Sequence, residues 1–186
     1  MNHKGTKTIE TERLILRKFD YEDAEYMYYN WASDDEVTKF ITWPTHNSIE
    51  ISKTVISRVV KDYESNNKYE WAIELKENNE VVGDISAPRV FDNTETVEIG
   101  YVLGRRFWNK GIVTEALSAI VKFFFEEVEV NRIEAKHDIN NPSSGVVMKK
   151  CGMQFEGILR QAGKNNTGLC DLAVYSLLKD DIKKMQ

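Results

Sequence analysis

The chain predicts a single α/β domain of the α+β kind over residues 1–186, a mixed, mostly antiparallel twisted sheet of about seven strands flanked by about four helices. Three observations predict it. β-rich runs bounded by turn residues cluster in the middle and at the end of the chain, and one strongly periodic apolar helix pattern lies between them. No linker, repeat or low-complexity tract divides the 186 residues, a length that suits one domain and is short for two.

The elements follow in order. Thr8 to Phe19, with Leu14, Ile15 and Leu16, reads as the first strand. Asp20-Tyr21-Glu22-Asp23 opens an acidic helix start with Asp20 as its N-cap. Ser48 begins a longer helix to near Glu64, with Ile51, Val55, Val59 and Val60 at helical spacing. Tyr69 to Leu75 and Val81 to Val90 read as strands joined by the turn Glu77-Asn78-Asn79-Glu80. Thr96 to Leu103 sets Val97, Ile99, Tyr101 and Leu103 on one face and Glu98, Gly100 and Val102 on the other. The strongest helix comes next. Val113, Ala116, Leu117, Ile120, Val121, Phe124 and Val128 hold its apolar stripe, and Ala119, Phe123 and Phe125 add apolar surface on other sides. Arg132 to His137 reads as a strand, Pro142 to Lys150 as a short helix, and Met153 to Arg160 with Leu169 to Leu177 as a closing hairpin.

Composition excludes several function classes. Hydrophobic residues at 41% and charged residues at 30% are the balance of a folded globular chain. Apolar stretches run only a few residues, far below the roughly 20 that span a bilayer, so no membrane partner is expected. Met1 to Glu10 has no apolar h-region, and Cys151 and Cys170 are too few for a disulfide framework, which together predict a reduced, cytoplasmic protein. A net charge of −5 and a pI near 5.4 argue against nucleic acid as partner and suit a cationic acceptor such as an amine.

The positive charge is local. From Gly100 to Ala116 a strand ends, a basic turn with Arg105, Arg106 and Lys110 follows, and the long helix begins. The N-terminus of a helix offers unpaired amides and the positive dipole end to an anion, and Gly111 lets the backbone approach it without a Cβ. Neither a Walker A loop nor a dinucleotide G-x-G-x-x-G fits this spacing, and a plain strand-turn-helix with a solvated basic loop stays open.

Trp108-Asn109-Lys110-Gly111-Ile112-Val113, followed by Thr114-Glu115-Ala116-Leu117, closely resembles the pyrophosphate-binding loop of GNAT acetyltransferases, usually Q/R-x-x-G-x-G/A. Within that superfamily it looks most like the ribosomal-protein alanine and serine N-acetyltransferases. Trp108 stands where Gln or Arg is usual, and Val113 where a small residue is usual, so a branched side chain would crowd a phosphate set against it. Thr11 to Arg17 is similar to the group's first strand, Trp43 to Ser48 to its loop before the second helix, and Glu98 to Tyr101 to its fourth strand. Asn141-Pro142-Ser143-Ser144 with Val147 to Met153 resembles its N-x-x-S…V-L-E-K-x-G-F block. The resemblance runs from about residue 8 to 178 in the expected order.

It implies direct transfer from acetyl-CoA to a primary amine, with no covalent acyl-enzyme and no metal. The pantetheine arm would add like a strand to the backbone from Glu98 through Ile99, Gly100, Tyr101 and Val102 to Leu103. The pyrophosphate would rest on the amides of Lys110, Gly111, Ile112, Val113 and Thr114, with Arg105, Arg106, Trp108, Asn109, Asn141, Ser144 and Lys150 completing the cofactor side. An ammonium must lose a proton before it attacks, and Glu98 is the candidate base, directly or through a water; its bland alternative is a surface or salt-bridged glutamate. Ser144 is the candidate acid toward the departing thiolate, with a helix cap as the alternative, and no residue matches the tyrosine acid that many superfamily members use. Trp43 and His46 are placed in the acceptor pocket, with core or pocket wall the alternative for Trp43 and a surface loop residue the alternative for His46, whereas Cys151 has no basic partner and is not a nucleophile. The group implies the α-amine of a protein N-terminus as acceptor and allows a homodimer; a small amine, or a non-catalytic acyl-CoA-binding module, are the competing classes.

Overall fold

The computed structural model describes residues 1–183. Its strands are β1 (Ile9–Glu10), β2 (Leu14–Arg17), β3 (Glu70–Leu75), β4 (Glu80–Phe91), β5 (Thr96–Leu103), β6 (Arg132–Asp138), β7 (Gln154–Asn165) and β8 (Gly168–Leu178). They form one sheet in the order β1-β2-β3-β4-β5-β6-β8-β7, antiparallel throughout except for the parallel pair β5–β6. The helices are α1 (Asp23–Met27), α2 (Asp35–Thr38), α3 (Ile49–Asp62), α4 (Ile112–Phe123), α5 (Pro142–Lys150) and α6 (Lys179–Lys183).

The sequence expectation of about seven strands and four helices is met with small additions. The first predicted strand divides, because the chain turns at Thr11 to Arg13 and pairs β1 back onto β2. Asp20 does not cap α1. The Asp23 carboxylate, held by Arg17 at 2.7 Å, reaches back to the Asp20 amide, and the helix starts at Asp23 itself. The turn between β3 and β4 closes with Asn79 at φ 57°, a left-handed position that asparagine tolerates.

Two cores sit on the two faces of the sheet. On one, Val97, Ile99 and Leu103 of β5 pack against Ala116, Leu117 and Ile120 of α4, as the alternation along β5 predicts. Tyr69, Trp71, Phe123 and Phe124 form an aromatic cluster there, with ring centroids between 4.9 and 6.3 Å apart. On the other face, Ala72, Val81 and Val102 meet Ala24 and Met27 of α1, Trp31 beyond it, and Ile56 and Val59 of α3.

One feature of this topology positions the site. The β5–β6 ladder runs from Thr96↔Arg132 only to Ile99↔Ala135, although β5 continues to Leu103 and β6 to Asp138. Beyond that point β6 stays with β8, and β5 stays with β4. The two parallel strands therefore part, and among the described residues Gly100 to Leu103 present a backbone edge to no strand. A bulge in β4 between Ser86 and Arg89 lies directly across from the parting.

Candidate active site

At one end of the open edge stands the N-terminus of α4. Gly111 adopts φ 74° there, a left-handed conformation that suits glycine, and Asn109 two residues earlier has φ 61°. The first bond inside the helix runs from the Glu115 amide to the Gly111 carbonyl at 3.0 Å, so the amides of Ile112, Val113 and Thr114 have no helical acceptor. The Val113 side chain is buried in the α4 core, so the branched residue does not crowd the outer side of the turn.

A clamp from β2 holds this turn. Arg13 donates through Nη1 to the Lys110 carbonyl at 2.9 Å and through Nε to the Glu115 carboxylate at 2.7 Å, which also accepts from the Thr11 hydroxyl at 2.5 Å. Burial works to raise Glu115, but the Thr11 and Arg13 hydrogen bonds more than offset it and hold the carboxyl below its usual range. Arg105 and Arg106 turn away from the helix end: Arg105 pairs with Asp34 at 2.9 Å, and Arg106 pairs with Glu80 and Asn30. Trp108 donates its indole N–H to the Leu103 carbonyl at 2.8 Å and so closes the end of β5. Lys110 keeps its ammonium near the Phe107 ring, and Lys150 is exposed at the end of α5.

At the other end the strands part beside α5. Asn141 occupies the N-cap without a side-chain capping bond, and Pro142 follows it. Ser144 does not cap; its Oγ lies 2.8 Å from the Tyr101 hydroxyl, while that hydroxyl donates to the Ser144 carbonyl at 2.9 Å. With the phenol proton on the carbonyl, the Ser144 hydroxyl can donate to the tyrosine oxygen or turn its proton into the cleft that Ser144 lines. Burial pushes the Tyr101 phenol well above its usual value, and the Ser144 bond only partly offsets this. The Tyr101 hydroxyl was not legible in the sequence as a site group, because alternation along β5 aims it at the helical core.

A cleft of about 570 Å³ opens on the face of α1 and α3. Trp43 and His46 line it, together with Trp31, Glu70, Asp84 and Glu98. His46 is buried, bonds Ser52 Oγ through Nδ1 at 2.8 Å, and is pushed below its usual pKa by burial. Asn166, at the β7–β8 turn, donates to the carbonyls of Thr38 at 2.9 Å and Trp43 at 2.9 Å, tying the hairpin tip over the loop.

Glu98 belongs to a ladder of alternating charges. Arg89 reaches it at 3.3 Å and Lys136 at 2.7 Å; Lys136 also holds Glu134 at 3.1 Å, and Arg132 bridges Glu134 at 3.2 Å and Glu156 at 2.6 Å. Burial alone would lower Lys136, but its bonds to Glu98 and Glu134 raise it, and Arg132 with Ser176 brings Glu156 down to about 2. Asp84 and Glu70, on neighbouring strands in the same cleft, escaped sequence reasoning, because each sits in a strand run with no motif around it.

A strand edge left open between parting parallel strands, with bare helix amides at its end, suits a long thioester-bearing arm, and the enzyme class this defines is an acyltransferase. The chain belongs to the GNAT acetyltransferase family: the model of the acetyltransferase (GNAT) domain matches residues 13–154. It is 34% identical over 173 residues to the uncharacterized N-acetyltransferase p20 of Bacillus licheniformis, covering 93% of this chain and 97% of that one. It is 32% identical over 102 residues to the ribosomal-protein-serine acetyltransferase of Escherichia coli, 55% of this chain and 57% of that one. Among solved structures, the microcin C7 self-immunity acetyltransferase MccE, in complex with acetyl-CoA and AMP, superposes with a TM-score of 0.81 at 25% identity over 90% of this chain and 93% of that one.

Proposed function

We propose that the protein transfers the acetyl group of acetyl-CoA directly to a primary amine, in the first place the α-amine of a protein N-terminus. The observation that carries this reading is the open β5 edge from Gly100 to Leu103, which ends at the bare amides of α4. An extended pantetheine amide chain matches such an edge, and a diphosphate matches amides at a helix end with a left-handed glycine beside them. The residues present therefore fit the cosubstrate. Bound there, it supplies an activated acetyl thioester. Arg13 holds the turn in shape, and replacing it with alanine is expected to raise the KM for acetyl-CoA about 10-fold, equivalent to ~1.4 kcal/mol, with kcat within about twofold.

Ser144, backed by Tyr101, supplies the proton that the departing sulfur takes. Glu98 lies where the strands part, on the acceptor face, and orients the incoming ammonium or its water. A thiolate is a modest base, with a conjugate acid near pKa 8.5, so the acid is needed only weakly. Ser144→Ala and Glu98→Gln are each expected to keep acetyl-CoA binding and to lower turnover about 10-fold. Unchanged turnover in either variant removes that residue from the reaction.

The ribosomal-protein-serine acetyltransferase of Escherichia coli among the relatives supports a protein acceptor. A small amine is the second reading, favoured by the cleft itself: about 570 Å³, with Asn166 tying the hairpin over its rim, suits a compact acceptor. The deciding measurement is thiol release from acetyl-CoA with peptides beginning in Ala or Ser beside polyamines, amino sugars and amino acids. Turnover confined to peptides supports the first reading, and turnover confined to a small amine supports the second. Binding of acetyl-CoA without release on any of them contradicts both.

A further inference from the structure

We propose that Asp84 is the carboxylate that takes the proton from the acceptor ammonium, an inference that rests on the amine-transfer reading above. Asp84 lies on β4 with Ala72 opposite it on β3 and Val102 opposite it on β5. Both neighbours belong to the core beneath α1 and α3, so its side chain stands on the acceptor face, half-buried in the cleft floor. Ser86, the next residue on that face, lies opposite Gly100, the first residue of the open β5 edge. Asp84 is thus on the diagonal from the point where β5 is left free, a spacing of roughly 7–8 Å between backbones.

Of the four carboxylates that line the cleft, Glu70, Asp84, Glu98 and Asp138, Asp84 and Glu98 flank the open β5 edge, and their surroundings divide the work. Glu98 is engaged by Lys136 at 2.7 Å and Arg89 at 3.3 Å, so two cations already occupy its carboxylate. Asp84 faces another acid, Glu70, two positions before Ala72 on β3. Glu70 is ion-paired with Lys68 at 2.6 Å, and Lys68 also reaches Asp62 of α3 at 3.6 Å. Burial, and next the Glu70 charge, push Asp84 well above the carboxylate range; Lys68 and Ser86 offset only part of this. A base works best when its pKa lies near the operating pH, and burial beside Glu70 moves Asp84 in that direction. The other charged or titratable groups around the cleft are His46, Arg58 of α3, Tyr69, Arg89, Glu98, Tyr101, Lys136, His137 and Asp138.

The proton balance is simple. The acceptor nitrogen loses two protons in becoming an amide. The first goes to Asp84 and leaves through the cleft to solvent, freeing the lone pair that forms the C–N bond as the C–S bond breaks. The second replaces the proton that Ser144 gives to the sulfur.

The test measures kcat/KM against pH for transfer to a peptide beginning in Ser and to spermidine, in the wild type, Asp84→Asn and Glu70→Gln. Asp84→Asn is expected to lose about 100-fold at pH 7 while its KM for acetyl-CoA stays unchanged. Its rising limb should move up to the pKa of the free amine itself, about 8 for the peptide. Glu70→Gln, which removes the charge that raises Asp84, should move the limb to lower pH while transfer continues. Thermal unfolding is read alongside. A carboxyl with a raised folded-state pKa loses stability as pH rises from its unfolded value of 3.8 through the folded one, so Asp84→Asn should be more stable than the wild type at pH 8. An Asp84→Asn enzyme with the wild-type rate and limb overturns the assignment, as does a Glu70→Gln limb that does not move. In either case the transfer reading stands, because the wild type acetylates an amine in the same assay. A wild type that acetylates neither these two nor any other amine of the peptide, polyamine, amino sugar and amino acid panel removes the transfer reading, and this inference with it.

Discussion

Gly111→Val is expected to raise the dissociation constant for acetyl-CoA about 30-fold, measured by calorimetric titration. Gly111 sits at φ 74°, where a β-branched residue is strained by roughly 2 kcal/mol, the equivalent of that factor. Room inside the protein is not the obstacle, since an added Cβ would meet only the Arg13 guanidinium at 3.6 Å, an ordinary contact. The cost is conformational. Valine relieves its strain by leaving the left-handed region, and the turn from Asn109 to Ile112 then rotates its amides away from a common point. Gly111→Asn tolerates the same dihedral and should stay within about threefold of the wild type. Valine binding as tightly as glycine would show that these amides do not hold the diphosphate.

Gly83→Ala is expected to cost about 3 kcal/mol of stability and lower the melting temperature by roughly 6–12 °C. A Cβ at Gly83 would stand 2.3 Å from the Val102 carbonyl oxygen and 3.1 Å from the Leu103 Cα, both backbone atoms of β5. Neither can swing aside as a side chain tip would, so β4 must move from β5, and the bond from the Gly104 amide to the Val82 carbonyl at 2.9 Å is strained with it. Gly100→Ala is the contrast. Its Cβ would meet only Pro88 at 3.8 Å, so the fold should keep its melting temperature within about 2 °C. A Gly83→Ala protein as stable as the wild type would mean that the β4–β5 pair has slack enough to open without loss.

Much of the architecture is written locally. The alternation from Thr96 to Leu103 predicts β5 with its bounds and its two faces, and the apolar stripe from Val113 to Val128 predicts α4 and the burial of its inner side. Pro142 and the run to Lys150 predict α5. The glycine before α4 is legible too, because only a turn that needs a left-handed residue or a close approach has reason to place one there.

What the sequence by itself determined was this set of elements, their inward faces and the glycine turn that opens α4, since a period of 2 or 3.6 is a property of neighbouring residues. The tertiary structure alone decided where β6 leaves β5, that Arg105 and Arg106 spend their charge on Asp34 and Glu80, and that Tyr101 meets Ser144 43 residues away. It also decided that Glu98 is paired with Lys136, 38 residues on, while Asp84 faces Glu70. The physical reason is that proton affinity and an open strand edge depend on which distant groups come to lie alongside. Strand order and register set that, and no local pattern carries it.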